Sequence, residues 1–582
     1  MRSIFSALCA AFVLLAVVSG PVAAQTIYPL NRAEILTGAK FDFKVEFPGS
    51  PPPDGVRVTI NGKDAATVLA QAPQIIEHEE GLDQTAYWIK GAHLSEPGTY
   101  VVAAEANGAK ASVEWTVFAT PDGRRARNVI LLIGDGLSIA HRTAARILSK
   151  GLVEGRYGGE LAMDDMPYMA LVSTSGTDSV VTDSANSMTA YTTGHKTCVN
   201  ALGVYCANNI ALQAHPHVET VAELAKRKLG MAVGIVTTTE IEDATPAAVV
   251  AHTRRRQDYD RIVEMFYANR PEVLLGGGTP NFLPKDDPRG KRSDSENYIE
   301  KFKAAGYAFV DTAKGLAAAA ADPATQKLLG LFNDRNIDGA LDRKFLKKGT
   351  VAKFPDQPDL TDQMRAALQV LSRNDNGFFL MVESGRIDKY SHSLDWERAV
   401  YDTIMFDDAV KLAKDFAATH PDTLIVVVPD HAHPVNIIGT YDDSGGKTLR
   451  DRLQTYADAK FPDYPPPDAD GYPPSVDVSR RLALVFSAFP DYCDAGKPYL
   501  EGENEPTVAG PDGKKQVANE AYCRPGAARK IGNLSLMANS GVHAADDVVL
   551  TASGPGAETF HGRIDNTHVF RAIATALGLG LP

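Results

Sequence analysis

Cysteine is scarce, with five residues in 582, and positive charge is in deficit, since 59 Lys and Arg stand against 72 Asp and Glu for a formal net charge of −13. Bulk charge of that sign argues against nucleic acid or an anionic membrane surface as partner. An acidic protein that handles an anion must concentrate positive charge locally. No internal repeat or long low-complexity tract occurs, which excludes a repeat architecture. Beyond the first two dozen residues no apolar run reaches the ~20 residues of a membrane span, so the mature chain has no transmembrane segment. Gly276-Gly277-Gly278 follows an apolar run but lacks the Lys-Ser or Lys-Thr sequel of a nucleotide-binding loop, and reads as a tight strand exit.

What is present begins with an export leader. Arg2 gives a small positive start, an apolar stretch follows from Ile4 to Val18, and Val22-Ala23-Ala24 offers a small-residue cleavage site before Gln25. Residues 1–24 therefore read as a removable signal, and the protein as periplasmic or secreted. A membrane anchor is the competing reading, but Ser3, Ser6, Ser19, Gly20 and Pro21 leave the apolar core too short. Cys9 leaves with the leader and has no acylation context. The remaining Cys198, Cys206, Cys493 and Cys523 form an even set in an exported chain, which predicts disulfides. Three pairings are open; proximity favours Cys198 with Cys206 and Cys493 with Cys523. Their spacing lacks the paired short hooks of a structural zinc site.

A chain of this length divides into more than one core. Residues 25–120 alternate apolar and polar positions, as in Phe41-Asp42-Phe43-Lys44-Val45-Glu46-Phe47 and Val56-Arg57-Val58-Thr59-Ile60, with Asn61-Gly62 as a hairpin turn. Five or more short strands make a small all-β sandwich there, with Trp88 and Trp115 read as core. Residues 121–127, polar and basic, read as a linker. From residue 128 to 582 the rhythm changes to buried apolar runs separated by helical segments, the pattern of a doubly wound, largely parallel α/β sheet sandwiched by helices. Residues 441–540, rich in Pro, Gly, Asp and Tyr, read as an ordered insertion.

Several buried runs end in polar residues. Val129-Ile130-Leu131-Leu132-Ile133 leads into Gly134-Asp135-Gly136, Phe378-Phe379-Leu380-Met381-Val382 into Glu383, and Leu424-Ile425-Val426-Val427-Val428 into Pro429-Asp430-His431. A parallel sheet gathers such residues at one edge, beyond the C-terminal strand ends, where α/β folds place their sites. One Asp after a strand is ordinarily a helix cap; three strand ends with histidines nearby are more. Glu383 is followed by Asp388 and His392, Asp430-His431-Ala432-His433 forms a compact cluster, and His543 is a further candidate. Mixed oxygen and imidazole donors suit zinc, and Asp, Glu and Thr oxygens suit magnesium. Val181-Thr182-Asp183-Ser184-Ala185-Asn186 puts small hydroxyl residues where a polar loop enters a helix. Ser184 reads as a nucleophile in the helix's first turn, where free N–H groups and the dipole favour an alkoxide and a phosphate. The plainer alternative is that Thr182, Asp183 and Ser184 cap the helix.

These motifs resemble the alkaline phosphatase family, and the likeness covers most of residues 128–440 and resumes near His543. Gly134-Asp135-Gly136 with Thr143-Ala144-Ala145-Arg146-Ile147, Asp183-Ser184-Ala185, Asp243-Ala244-Thr245-Pro246-Ala247-Ala248, Ile387-Asp388-Lys389 with His392, and Asp430-His431-Ala432-His433 agree with it in order and internal spacing. The resemblance implies hydrolysis of small phosphate monoesters through a phosphoserine at Ser184. It implies two zinc ions, one held by Asp388, His392 and His543 and the other by Asp135, Asp430 and His431, and one magnesium ion held by Asp135, Thr245 and Glu383. Arg256 falls on the position of the phosphate-clamping arginine, with Arg254 and Arg255 as rivals. Lys389 would touch phosphate through water; Asp243 and His433 would act behind the contact residues. Asp243 and Lys389 stand where animal enzymes have histidines, so the site resembles the bacterial variant. Leu137-Ser138 and Asn186 depart from the common pattern without removing a ligand. Resembling enzymes are frequently homodimers. The alternatives are a phosphodiesterase or sulfatase of the same superfamily, or an adhesion protein whose metal domain is inert.

Overall fold

The computed structural model describes residues 25–120 and 122–580; the leader read at residues 1–24 lies outside them. A ten-stranded sheet organises the chain from residue 128 onward. Its order across the sheet is Ala308–Val310, Leu328–Leu331, Val273–Gly277, Ala232–Glu240, Phe378–Ser384, Asn128–Gly134, Thr423–Val428, Val548–Ser553, Tyr168–Ser173 and Gly562–Asp565. Every neighbouring pair is parallel except the two made by Val548–Ser553.

Side-chain alternation explains why these strands are apolar throughout. Val129, Leu131 and Ile133 enter one core while Ile130 and Leu132 enter the other, and the same split separates Phe379 and Met381 from Phe378, Leu380 and Val382. A strand buried on both faces cannot show a polar period. The first core is closed by helices Ser184–Thr193, Val221–Leu229, Tyr259–Asn269 and Thr567–Leu577, and the second by Ile139–Lys150, Leu360–Leu371 and Trp396–Thr419. The expected helix-sandwiched, mostly parallel architecture is therefore present.

Ahead of it, residues 26–118 form two small sheets over one core containing Phe43, Val45, Phe47, Ile60 and Trp115. One has the order Thr26–Tyr28, Phe41–Pro48, Gln84–Ala92, Gln74–Ile76; the other Glu34–Leu36, Ala109–Phe118, Gly98–Ala106, Arg57–Ile60, Lys63–Asp64. The turn at Asn61-Gly62 pairs Arg57–Ile60 with Lys63–Asp64, and both turn residues have positive φ, 49° and 76°, as such a two-residue turn demands. Trp115 is fully buried and its indole N–H donates to Pro29 O at 2.9 Å.

Residues 441–540 are built rather than loose. Val435–Asp442 pairs with Leu453–Gln454 and Arg480–Phe486, and two further two-stranded antiparallel sheets follow. Cys198 is bonded to Cys206 and Cys493 to Cys523, the pairing that proximity predicts. Gly276-Gly277-Gly278 is a strand exit, with Gly278 at φ 92°. Among the described residues no helix is long and apolar enough to cross a membrane.

Candidate active site

Register puts the acidic strand ends side by side. Ile133 lies opposite Glu383 on one neighbour and opposite Val428 on the other, so Asp135, Glu383 and Asp430 leave the sheet together at its C-terminal edge. All three are buried. His431 follows Asp430 and turns its Nε2 to within 3.3 Å of Asp135 Oδ1 and 3.5 Å of Asp430 Oδ2.

The helix Ser184–Thr193 begins beside this edge. Asp183, extended at φ −102°, caps it by accepting from Asn186 N, while Asn186 Oδ1 accepts from Asp183 N. Ser184 is thus relieved of capping. Its hydroxyl is buried 3.3 Å from His431 Nε2.

A seven-residue helix, Arg386–His392, brings up the remaining donors. Asp388 Oδ1 is met by His433 Nε2 at 2.7 Å, His392 Nε2 at 3.3 Å and His543 Nε2 at 3.4 Å. His392 Nδ1 lies 2.7 Å from Gly541 O and His543 Nδ1 lies 2.8 Å from Thr182 O. Carbonyl oxygens only accept, so both Nδ1 atoms carry a proton, and in the neutral rings both Nε2 atoms present lone pairs. Those two Nε2 atoms face each other at 3.0 Å. Facing lone pairs beside a carboxylate repel unless a cation lies among them.

The same conclusion follows from the oxygens. Asp135 Oδ1, Asp430 Oδ2, Thr245 Oγ1 and His431 Nδ1 are buried without a hydrogen-bond partner, an expense that a native site accepts for a reason. Asp388, His431, His433 and His543 can jointly offer ligand atoms, as can Asp135, Asp430 and His431. Burial, with Asp388, Asp430 and Glu383 around it, drives the Asp135 carboxyl well above the usual range. Burial lifts Glu383 to about 7 despite a hydrogen bond from Thr237, and burial with Asp388 lifts Asp430 to about 6. Carboxylates that burial would neutralise stay ionised beside cations, so the donor set fits divalent metals.

Positive charge is concentrated where the acidic balance requires it. Arg256 Nη2 lies 2.7 Å from Asp243 Oδ1 and its Nη1 3.2 Å from Asp183 Oδ2, while Lys389 Nζ lies 2.8 Å from Asp243 Oδ2. Of the rivals, Arg254 donates to Val199 O and Arg255 is exposed. A serine hydroxyl, an aimed guanidinium and clustered metal donors together suit attack on a phosphorus centre.

An alkaline phosphatase family profile matches residues 126–579. The chain belongs to the alkaline phosphatase family. It is 31% identical over 460 residues to alkaline phosphatase 3 of Bacillus subtilis, covering 78% of this chain and 89% of the relative. It is 33% identical over 360 residues to alkaline phosphatase of Escherichia coli K12, covering 56% and 74%. The solved Thermus thermophilus alkaline phosphatase superposes with a TM-score of 0.57 at 27% identity, over 78% of this chain and 92% of that one. The TAB5 enzyme of an Antarctic bacterium shares the fold at 22% identity, with a TM-score of 0.54 over 78% and 99%. The chain is accordingly a phosphomonoester hydrolase of a metal-dependent family.

Several residues of this alkaline phosphatase site escape sequence reading. Thr237 and Thr239 both donate to Glu383 Oε2; the only hint is three threonines at a strand's end. Ser138 Oγ donates to His433 O at 2.7 Å, and Ser187 Oγ donates to Asp430 O. Asn200 N donates to Asp183 at 3.2 Å and Asn200 O accepts from Arg256 N at 2.9 Å, joining cap and guanidinium through backbone, which no motif records. Among the remaining histidines, His195 pairs with Tyr205 OH, His215 Nδ1 accepts from Ala207 N, and His252 contacts Glu223.

Proposed function

We propose that this chain is an exported phosphatase that hydrolyses phosphate monoesters through a phosphoserine at Ser184, with two zinc ions and one magnesium ion. The observation that carries the reading is the free Ser184 hydroxyl, released from capping by Asp183 and set against a cluster of uncompensated lone pairs. Asp388, His392 and His543 would hold one zinc, Asp135, Asp430 and His431 the second, and Asp135, Thr245 and Glu383 the magnesium. His433, bonded to Asp388, would orient it. Bound there, such cations neutralise phosphate oxygens and favour the ionised forms of serine and water.

The chain's own residues supply the rest. The Ser184 oxygen attacks phosphorus, and the alcohol oxygen departs with the electron pair of its P–O bond. Water then attacks the phosphoserine, releasing phosphate and returning the serine oxygen. Ser184 opens the helix Ser184–Thr193, whose positive dipole end favours an anion beside the serine. Arg256, fixed by Asp183 and Asp243, offers a planar fork suited to two phosphate oxygens, and Lys389 adds charge from the far side of Asp243. Export is supported by the leader and by two disulfides, which persist in oxidising compartments.

Turnover of the purified protein on a monoester, a diester and a sulfate ester, metal-free and after adding zinc or zinc with magnesium, tests this reading. Monoester hydrolysis restored by zinc and raised by magnesium is expected. Full activity of metal-free protein, or preference for the diester or sulfate, rules it out.

A further inference from the structure

The helix Arg386–His392 has seven residues, and neither Gly385 before it nor Ser393 after it caps it with a side chain. A helix so short is not stable alone and must be held by tertiary contacts. It nevertheless carries Asp388, Lys389 and His392, whose separation along the helix has to be kept.

The contact that spans it comes from the insertion. Glu503 Oε2 accepts from Arg386 Nη2 at 3.0 Å, and Glu503 Oε1 accepts from Ser393 Oγ at 2.9 Å. One carboxylate thus ties the helix's first residue to the residue just past its last. The adjacent Asn504 reinforces the far end, donating from Nδ2 to Ser393 O at 2.7 Å and from N to Asp395 Oδ2 at 3.1 Å. Arg386 is buried and stacks on Tyr390, its guanidinium carbon 4.1 Å from the ring centroid, so the charge that Glu503 answers is itself fixed.

Glu503 is in turn fixed. It lies within the loop closed by Cys493–Cys523, a separation of 30 residues, and Tyr522 OH inside that loop donates to Glu503 O at 3.1 Å. Arg398 Nη1, on the helix that follows, donates to Tyr499 O at 2.7 Å and docks the loop on the other side.

We propose that Glu503 is a positioning residue for the zinc held by Asp388 and His392, clasping both ends of the helix that carries them. The Cys493–Cys523 bond makes that clasp dependent on oxidation. The inference rests on the reading of Asp388 and His392 as zinc-holding residues. Outer groups that orient metal-holding side chains typically change metal affinity 10- to 100-fold when removed. An ion pair serving stability alone would not change it selectively.

Zinc affinity of metal-free protein, measured by competition with a chelating dye, tests the proposal without reference to turnover. Glu503→Ala should weaken one of two zinc equivalents by about 10- to 100-fold and leave the other unchanged. Glu503→Gln, which keeps an acceptor for Ser393 but loses the charge on Arg386, should fall between. The double variant Cys493→Ser, Cys523→Ser should weaken the same equivalent. Asp388→Ala is the control for the underlying reading. If Asp388→Ala abolishes one equivalent and Glu503→Ala binds both like wild type, the proposal fails while the zinc reading stands. If Asp388→Ala retains both, the reading fails and takes the proposal with it. Equal weakening of both equivalents in Glu503→Ala also overturns it. Should Glu503→Ala not fold, Ser393→Ala removes only one end of the clasp and must show the same selective loss for the proposal to stand.

Discussion

Arg256 shows how much a single side chain can decide. Its guanidinium is held by Asp183 and Asp243 with its backbone bonded to Asn200, so it is aimed before any substrate arrives. A monoester offers it two oxygens, whereas a diester replaces one with an alkoxy group and leaves the fork half-paired. Arg256→Ala should lower monoester kcat/KM by about 30- to 4,000-fold, since truncating a buried charged hydrogen bond costs about 2–5 kcal/mol and ~1.4 kcal/mol is tenfold. Diester hydrolysis should fall much less. Equal losses on both substrates would remove Arg256 from the clamp. Gly136 is a second decisive position. It has φ 67°, and a Cβ there would lie 2.7 Å from His433 Cδ2 and 3.2 Å from Asp388 Cα. Gly136→Ala should destabilise the fold by roughly 1–3 kcal/mol through backbone strain and close contact and should weaken metal retention, as thermal unfolding and metal analysis would show; a variant with wild-type Tm and metal content would contradict this. The placement of Asp135, Asp430 and Ser184 at strand ends and a helix start is legible in the sequence because each sits at a junction that local pattern reveals. The contacts of Thr237, Asn200 and Glu503 are not, because each joins distant segments.

At the level of elements, the same division holds. Buried strands announce themselves as apolar runs, and Asn61-Gly62 announces its turn. Nothing local says that Val548–Ser553 runs against its neighbours or that Arg386 is met by a carboxylate from residue 503. The helix Val221–Leu229 shows how an ordinary start signal conceals a second use. Thr220 and Glu223 form its capping box, yet Glu223 also receives His252 Nε2 at 3.0 Å from the loop leading to Arg256. Burial lowers the His252 pKa, but the Glu223 charge and hydrogen bond outweigh it, with help from Gly203 O and Asp42, and raise the group to about 9. His217, stacked on it with centroids 4.9 Å apart, is pushed down to about 3 by burial and by that neighbouring charge. A histidine whose folded pKa is raised stabilises fully below its unfolded pKa of ~6.5, and the contribution disappears as pH rises through about 9. Denaturant unfolding should therefore show wild type ahead of His252→Gln by a few kcal/mol at pH 6, with the gap closing between pH 6.5 and 9 or so. A gap independent of pH would mean that His252 is neutral in the fold.

On the scale of the whole molecule, the two small N-terminal sheets are joined to the rest through a buried charge. Lys44 is fully buried and lies 2.9 Å from Glu46 and 2.8 Å from Glu79. Its third bond leaves the sandwich, from Nζ to Ala214 O at 2.7 Å. Glu46 Oε2 accepts from Asn208 N at 3.0 Å, and Tyr28 OH donates to Cys206 O at 3.1 Å, both in the segment begun by the Cys198–Cys206 bond. Asp42 N and His217 O add a backbone bond of 2.8 Å. The loop closed by Cys198–Cys206 also holds Asn200, which bonds to both Asp183 and Arg256. Lys44→Met removes the cation and leaves two carboxylates buried without it, a change that costs about 3–5 kcal/mol where one partner of a buried pair is deleted. Calorimetry should then show one transition for wild type and, for Lys44→Met, an earlier transition of the N-terminal sheets followed by one near the wild-type Tm. Replacing Glu46 and Glu79 by Gln together with Lys44→Met should recover much of the loss, because the uncompensated charges go with the lysine. A Lys44→Met protein that unfolds in one step at the wild-type temperature would show that this cluster does not join the two parts, and that their union rests on the surrounding apolar and backbone contacts instead.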